Sequence, residues 1–177
     1  MIVLPTTYLG STDWYRQFFT CPSEVIIEAM ESYPKQTYRN RCTITTPDGP
    51  LSLSVPVKRA DSKQLTRDVE ISYQQRWQHQ HWIALMSAYK RTPYFDYYAD
   101  FFRPFYEKET KYLIDLNAEL HEVIVGLTIN NRPTANQGSS LRHTTDWVKK
   151  DLEIYFGNGN SILDSLFEYG PETVIQL

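Results

Sequence analysis

Up to residue 73 the apolar positions come in short runs or alternate with polar ones, and from residue 74 they recur at helical spacing. Ile2-Val3-Leu4, closed by Pro5, predicts a buried strand. Ser11 stands where it caps a helix reaching about Phe19, with Trp14, Tyr15, Phe18 and Phe19 on the inner side. Glu24 to Ile27 predicts a second strand, and so compact a strand–helix–strand unit favours a parallel pair. Tyr38 to Thr45 and Leu51 to Val57 alternate with period two around Pro47-Asp48-Gly49, the signature of an antiparallel hairpin.

In the second half Trp77, His81, Leu85 and Ala88 share a stripe and predict a helix from about Gln74 to Lys90, which Thr92-Pro93 breaks. Tyr94 to Phe102 predicts another helix, interrupted or restarted at Pro104. Leu113, Leu116, Leu120, Val123 or Ile124, and Leu127 mark a third. Ile129 to Thr145 is polar and predicts an exposed loop, Trp147 to Phe156 is amphipathic, and Gly157-Asn158-Gly159-Asn160 a turn. Ser161 caps a last short helix that ends at Gly170-Pro171. The fold class expected is α/β: a small mixed sheet holds the β-α-β unit and the central hairpin, and the helical C-terminal half packs against it. One domain over 1–177 is expected, with a sheet-forming part of about 1–73 and a helical part of 74–177.

Composition changes this picture in one place. The chain sums to −3, yet between Tyr33 and Arg67 seven Lys or Arg face two Asp and no Glu, a local +5. Such a segment inside an acidic protein points either to a focused anion site or to an ordinary cationic surface. An overall pI near 5.8 argues against a nucleic-acid binder, which would be basic over a whole face. No apolar run approaches the ~18 residues of a membrane-spanning helix. The opening Met1 to Pro5 lacks the features of a secretory leader, and two cysteines, Cys21 and Cys42, make no disulfide framework, so a cytoplasmic protein is expected.

If strand alternation runs through Tyr38 to Thr45, Arg39, Arg41, Thr43 and Thr45 share one face, opposite Tyr38, Asn40, Cys42 and Ile44. Arg39, Arg41 and Lys58 then converge near one end of the hairpin. His79 and His81 lie two apart, point opposite ways on a helix and cannot chelate one ion, so no metal or other cofactor is expected. His81 on its apolar stripe is either a satisfied core histidine or a proton-transfer group. Asn117 and His121, four apart, meet on one helix face and either support a site or satisfy one another. Cys42 reads as an inert buried thiol or a nucleophile. Phosphate-loop, dinucleotide and nucleophile-elbow motifs are absent from the sequence.

Several motifs together resemble the WbqC-like proteins, a bacterial family met in gene clusters for surface polysaccharides. They are Leu4-Pro5-x-x-Tyr8, Lys35-x-x-Tyr38-Arg39-Asn40-Arg41-Cys42, Leu53-Ser54-Val55-Pro56-Val57, Trp77-x-x-x-His81-Trp82, Ala88-Tyr89-x-x-Thr92-Pro93-Tyr94-Phe95 and Leu116-Asn117. The tail from Ser161 to Pro171 is similar to a subgroup associated with Bacteroidetes. Two departures stand out: Leu4 and Gly10-Ser11 replace a Gln and a Pro-Trp of the usual opening, and Glu28-Ala29-Met30-Glu31 replaces paired aspartates.

The resemblance implies a small-molecule substrate, a nucleotide-linked amino sugar modified by acyl or aminoacyl transfer; the alternative reading is a non-catalytic module that binds the nucleotide sugar or docks on a partner enzyme. In the transfer reading Lys35, Arg39, Arg41 and Lys58 hold anionic groups, Asn40 and Asn117 orient hydroxyls or an amide, and Tyr8, Trp77 and Tyr89 stack on a ring. His81 transfers the proton.

Overall fold

The computed structural model describes residues 2–20, 25–58, 63–130, 142–143 and 159–177. Strand β1 (Ile2–Pro5), helix α1 (Thr12–Thr20) and strand β2 (Val25–Glu28) form the expected crossover unit. β1 and β2 pair in parallel, Ile2 opposite Val25 and Pro5 opposite Glu28. A short strand β5 (Arg142–His143) adds to the other side of β2, again in parallel. It falls where a polar loop was expected, and nothing in its two-residue pattern advertises a strand. Ile129 and Asn130, expected to open that loop, instead end helix α4 (Leu113–Asn130), and the remainder of the stretch, the amphipathic Trp147 to Phe156 and the start of the following turn lie outside the described residues.

Strands β3 (Arg41–Thr46) and β4 (Gly49–Ser54) make the hairpin, with Thr43 opposite Ser52 and Thr46 opposite Gly49. Gly49 has φ +115°, a left-handed conformation that residues with side chains rarely adopt, which explains the Pro-Asp-Gly signal. The hairpin stays a separate two-stranded sheet instead of joining β1 and β2 in one mixed sheet. The α/β class with a β-α-β unit and a hairpin is observed; the strands are partitioned differently. The inner face of the hairpin buries Cys42, Ile44, Leu53 and Val55, as the alternation requires, and Leu51 near its tip stays exposed.

Helices α2 (Trp77–Tyr89), α3 (Phe95–Glu107) and α4 (Leu113–Asn130) follow, then α5 (Ile162–Tyr169) and α6 (Thr173–Gln176). Pro104 neither ends nor restarts α3. Its ring forfeits one backbone donor, but its own carbonyl still accepts from Lys108 N at 3.0 Å, so the last turn closes. Ser11 accepts a hydrogen bond from Trp14 N at 3.2 Å and Ser161 from Leu163 N at 3.3 Å, so both expected caps are formed. Ser161 also donates to the Leu9 carbonyl at 2.8 Å, which sets the C-terminal helix against the loop following β1.

One apolar core runs from α1 through the inner hairpin face to α2, α3, α4 and α5, and Tyr8, Trp14, Tyr15, Phe102 and Phe167 lie wholly inside it. The loops that leave β1 and β2 meet beneath this core. Their backbone geometry decides what the hairpin presents to solvent.

Candidate functional site

Between β2 and β3 the chain turns twice, and Gln36 takes φ +61°, a left-handed conformation uncommon for a residue with a side chain. Several hydrogen bonds hold this turn. Tyr8 N and the Thr7 hydroxyl donate to the Tyr38 carbonyl at 3.0 and 3.1 Å. Asn117 Nδ2 donates to the Arg39 carbonyl at 2.8 Å, and Asn40 Nδ2 donates to the Val55 carbonyl at 2.9 Å. The Arg39 guanidinium is 1% exposed and grips the Glu31 carboxylate with two parallel bonds, Nε to Oε1 and Nη2 to Oε2 at 2.8 Å. Its Nη1 donates to Thr37 Oγ1 at 3.1 Å, so the ion pair ties the turn to the chain leaving β2.

This lacing presents a recess of about 330 Å³ lined by Gln36, Thr37, Tyr38, Arg41, Thr43 and Ser52. Arg41 is half-buried. Its Nε is shielded from solvent and has no hydrogen-bond partner among the described residues, and the same holds for the nearby Tyr33 hydroxyl. Burial pushes the Tyr33 pKa up to about 12, while the positive charges of Arg39 and Arg41 pull against that shift. A guanidinium beside a phenol, a carboxamide and hydroxyls suits an anionic ligand that also carries hydroxyls. Among the described residues, histidine, carboxylate, lysine and thiol groups are missing from this lining. Among the described residues no group of three or more His, Cys, Asp or Glu is placed to hold a metal ion.

The three cations expected in one recess are instead dispersed. Arg39 is spent on Glu31. Lys58, with its side chain 63% exposed, pairs with Glu70 Oε2 at 2.6 Å beside a different hollow of about 500 Å³ that also includes Lys111. Lys35 is exposed and does not line the Arg41 recess. The physical reason for Arg39 is local: β3 begins only at Arg41, and residues 38–40 belong to the turn, so strand alternation does not reach Arg39.

The aromatic and histidine candidates lie in the core. The Tyr8 hydroxyl is 2.9 Å from His81 Nδ1 and 3.0 Å from the Tyr106 hydroxyl, all three groups buried. Burial lowers the His81 pKa to about 4, partly offset by a hydrogen bond with the Ser54 backbone, so the ring is neutral at ordinary pH. Trp77 packs edge-on against His81 with ring centroids 5.1 Å apart. Tyr89 is buried and its hydroxyl donates to Asp164. Asn40 and Asn117 are buried and orient backbone, as described above. Cys42 is buried too, and desolvation drives its thiol pKa strongly upward, as for an inert thiol.

Sequence reasoning missed Gln36, Tyr38, Thr43 and Ser52 as lining and Glu31 as the partner of Arg39. The cross-strand pair Thr43–Ser52 shares the face of Arg41 and was available from the alternation. Nothing in the sequence signals the backbone reversal at Gln36.

A model of the WbqC-like protein family matches residues 7–150. No curated protein and no solved structure matches the chain.

Proposed function

Since the chain belongs to the WbqC-like protein family, we propose that it binds a nucleotide-linked sugar in the recess around Arg41. The carrying observation is the half-buried guanidinium whose Nε lacks a partner among the described residues, while the other described groups of the lining are neutral donors and acceptors. A phosphate oxygen satisfies that nitrogen with a charge-assisted bond, and Tyr38, Thr43, Ser52 and Gln36 suit sugar hydroxyls. Arg39, Asn40, Asn117, Tyr8 and His81 serve this reading as the frame that holds the turn in place. Family resemblance extends it to amino sugars of surface-polysaccharide biosynthesis and to acyl or aminoacyl transfer. The described lining holds no histidine, carboxylate, lysine or thiol, which favours the binding module over the transferase.

Calorimetric titration with uridine, guanosine and thymidine diphosphate sugars tests this. A charge-assisted bond contributes roughly 1.5–3 kcal/mol, so Arg41→Ala weakens affinity about 10- to 150-fold. Arg41→Lys recovers part of the loss, because an ammonium keeps the charge but not the planar fork. Equal affinity in wild type and Arg41→Ala, or no binding by any member of the panel, overturns the proposal.

A further inference from the structure

A second cavity lies at the carboxyl ends of β1 and β2, where the loop after β1, the first turn of α1 and the middle of α4 come together. Thr6, Thr7, Trp14, Ile27, Asn117, Ala118 and His121 line it. Every one of these side chains is uncharged at neutral pH, because burial lowers the His121 pKa to about 3. The crevice beyond the carboxyl ends of parallel strands is where α/β sheets commonly receive ligands. It is separate from the Arg41 recess and shares no lining residue with it.

Two polar atoms here are buried without a hydrogen-bond partner among the described residues: Asn117 Oδ1 and His121 Nε2. Their residues are 2% and 4% exposed and four apart on α4, hence on one face. The amide orientation of Asn117 is settled by its other bonds. Its Nδ2 donates to the Arg39 carbonyl at 2.8 Å and to Thr6 Oγ1 at 3.1 Å, and a carbonyl can only accept, so Oδ1 is the atom left over. The tautomer of His121 follows in the same way. Its Nδ1 is 3.2 Å from the Tyr15 hydroxyl, whose proton is kept by burial and has no other hydrogen-bond acceptor among the described residues, so we assign Tyr15 as the donor to Nδ1. The ring proton therefore sits on Nε2.

One site thus offers a donor, Nε2–H, and an acceptor, Oδ1. A single group that accepts from one and donates to the other satisfies both, and a hydroxyl does so. The cavity has about 10 Å³ of space, room for roughly one water-sized group. A cation would enter without any countercharge, and an anion would meet the Asn117 carbonyl oxygen. We infer that this cavity binds one neutral hydroxyl group, that of a water molecule or of a small alcohol, between His121 Nε2–H and Asn117 Oδ1. Two buried polar atoms that would otherwise each carry a desolvation penalty become paired. Both partners of the bridge lie on α4, and the bond from Asn117 Nδ2 to Thr6 Oγ1 separately ties that helix to the loop after β1.

The test uses the full chain with ¹⁵N-labelled histidine. Long-range ¹H–¹⁵N spectra report the tautomer of His121, and cross-relaxation spectra report which protons stay close to its Nε2–H. The expected result is an Nε2–H tautomer with a cross-peak to a long-lived water. Adding methanol distinguishes the two sources: a methyl cross-peak identifies an alcohol-accepting site, and a persisting water peak identifies a site reserved for water. Ala118→Val, which narrows the cavity, is expected to abolish the peak. An Nδ1–H tautomer overturns the inference, as does an Nε2–H in wild type that sees neither water nor methanol, or a peak that survives in folded Ala118→Val. None of these readings depends on nucleotide-sugar binding at Arg41.

Discussion

Replacing Arg39 with Met removes the cation of the buried ion pair and leaves the Glu31 carboxylate in the interior. Both side chains are almost sealed from water, 1% and 6% exposed, and the guanidinium makes two bonds to the carboxylate and a third to Thr37. Deleting one partner of such a pair costs about 3–5 kcal/mol, because the remaining charge stays buried without its countercharge, with weaker contacts such as Thr66 Oγ1 at 3.5 Å. That is a large share of the 5–15 kcal/mol typical of a domain. In a chain of this size it corresponds to a fall in melting temperature of roughly 6–20 °C. Urea unfolding followed by circular dichroism and by tryptophan fluorescence measures the loss directly. The double variant Arg39→Met/Glu31→Leu removes both charges and is expected to recover most of it, since apolar replacement of a whole buried pair is often neutral. A loss below about 1 kcal/mol in the single variant refutes the framing role given to Arg39, because a dispensable charge is what a ligand-binding arginine would be.

Two further outcomes follow from the same geometry. His81 and His121 have folded pKa values lowered to about 4 and about 3, against ~6.5 when unfolded. Below ~6.5 the unfolded chain therefore takes up protons that the folded one does not. Their contribution is complete above that pH and declines as pH falls toward 4, by about 1.4 kcal/mol per pH unit for each ring. A urea midpoint that stays flat between pH 7 and pH 5 contradicts this. Gly170→Ala is expected to destabilise by about 2–5 kcal/mol, combining backbone strain with overpacking. The position has φ +56°, and an added Cβ would sit 2.5 Å from a ring carbon of Tyr94, whose own backbone is pinned by a 3.0 Å bond to the Phe167 carbonyl. A melting temperature equal to wild type would show that the ring moves aside freely.

The fold was readable where local chemistry and periodicity agree. The apolar run closed by Pro5, the capping serines Ser11 and Ser161, and Pro-Asp-Gly each act within a few residues, and each element they predict is present. What the hairpin pairs with was not readable, since separating it from β1 and β2 depends on packing between distant segments. The site divided along the same line. Arg41, Thr43 and Ser52 follow from strand alternation, whereas Arg39 does not, because its conformation is set by a turn and its partner Glu31 lies on the chain leaving β2. Polar residues in family motifs carry no mark that separates a ligand contact from a buried tether. Tyr8, His81 and Asn117 show this, being deep in the interior and committed to hydrogen bonds.

The assignment of Arg41, in place of Arg39 or Lys58, as the anion-contacting cation is tested most directly by following arginine Nε–H signals during titration. Uridine diphosphate N-acetylglucosamine is added to ¹⁵N-labelled protein, with the Arg41 signal assigned through Arg41→Lys. The expected result is a saturable shift of Arg41 Nε–H, while Arg39 Nε–H, held by Glu31, stays fixed. A shift at Arg39 with Arg41 unmoved would contradict the account.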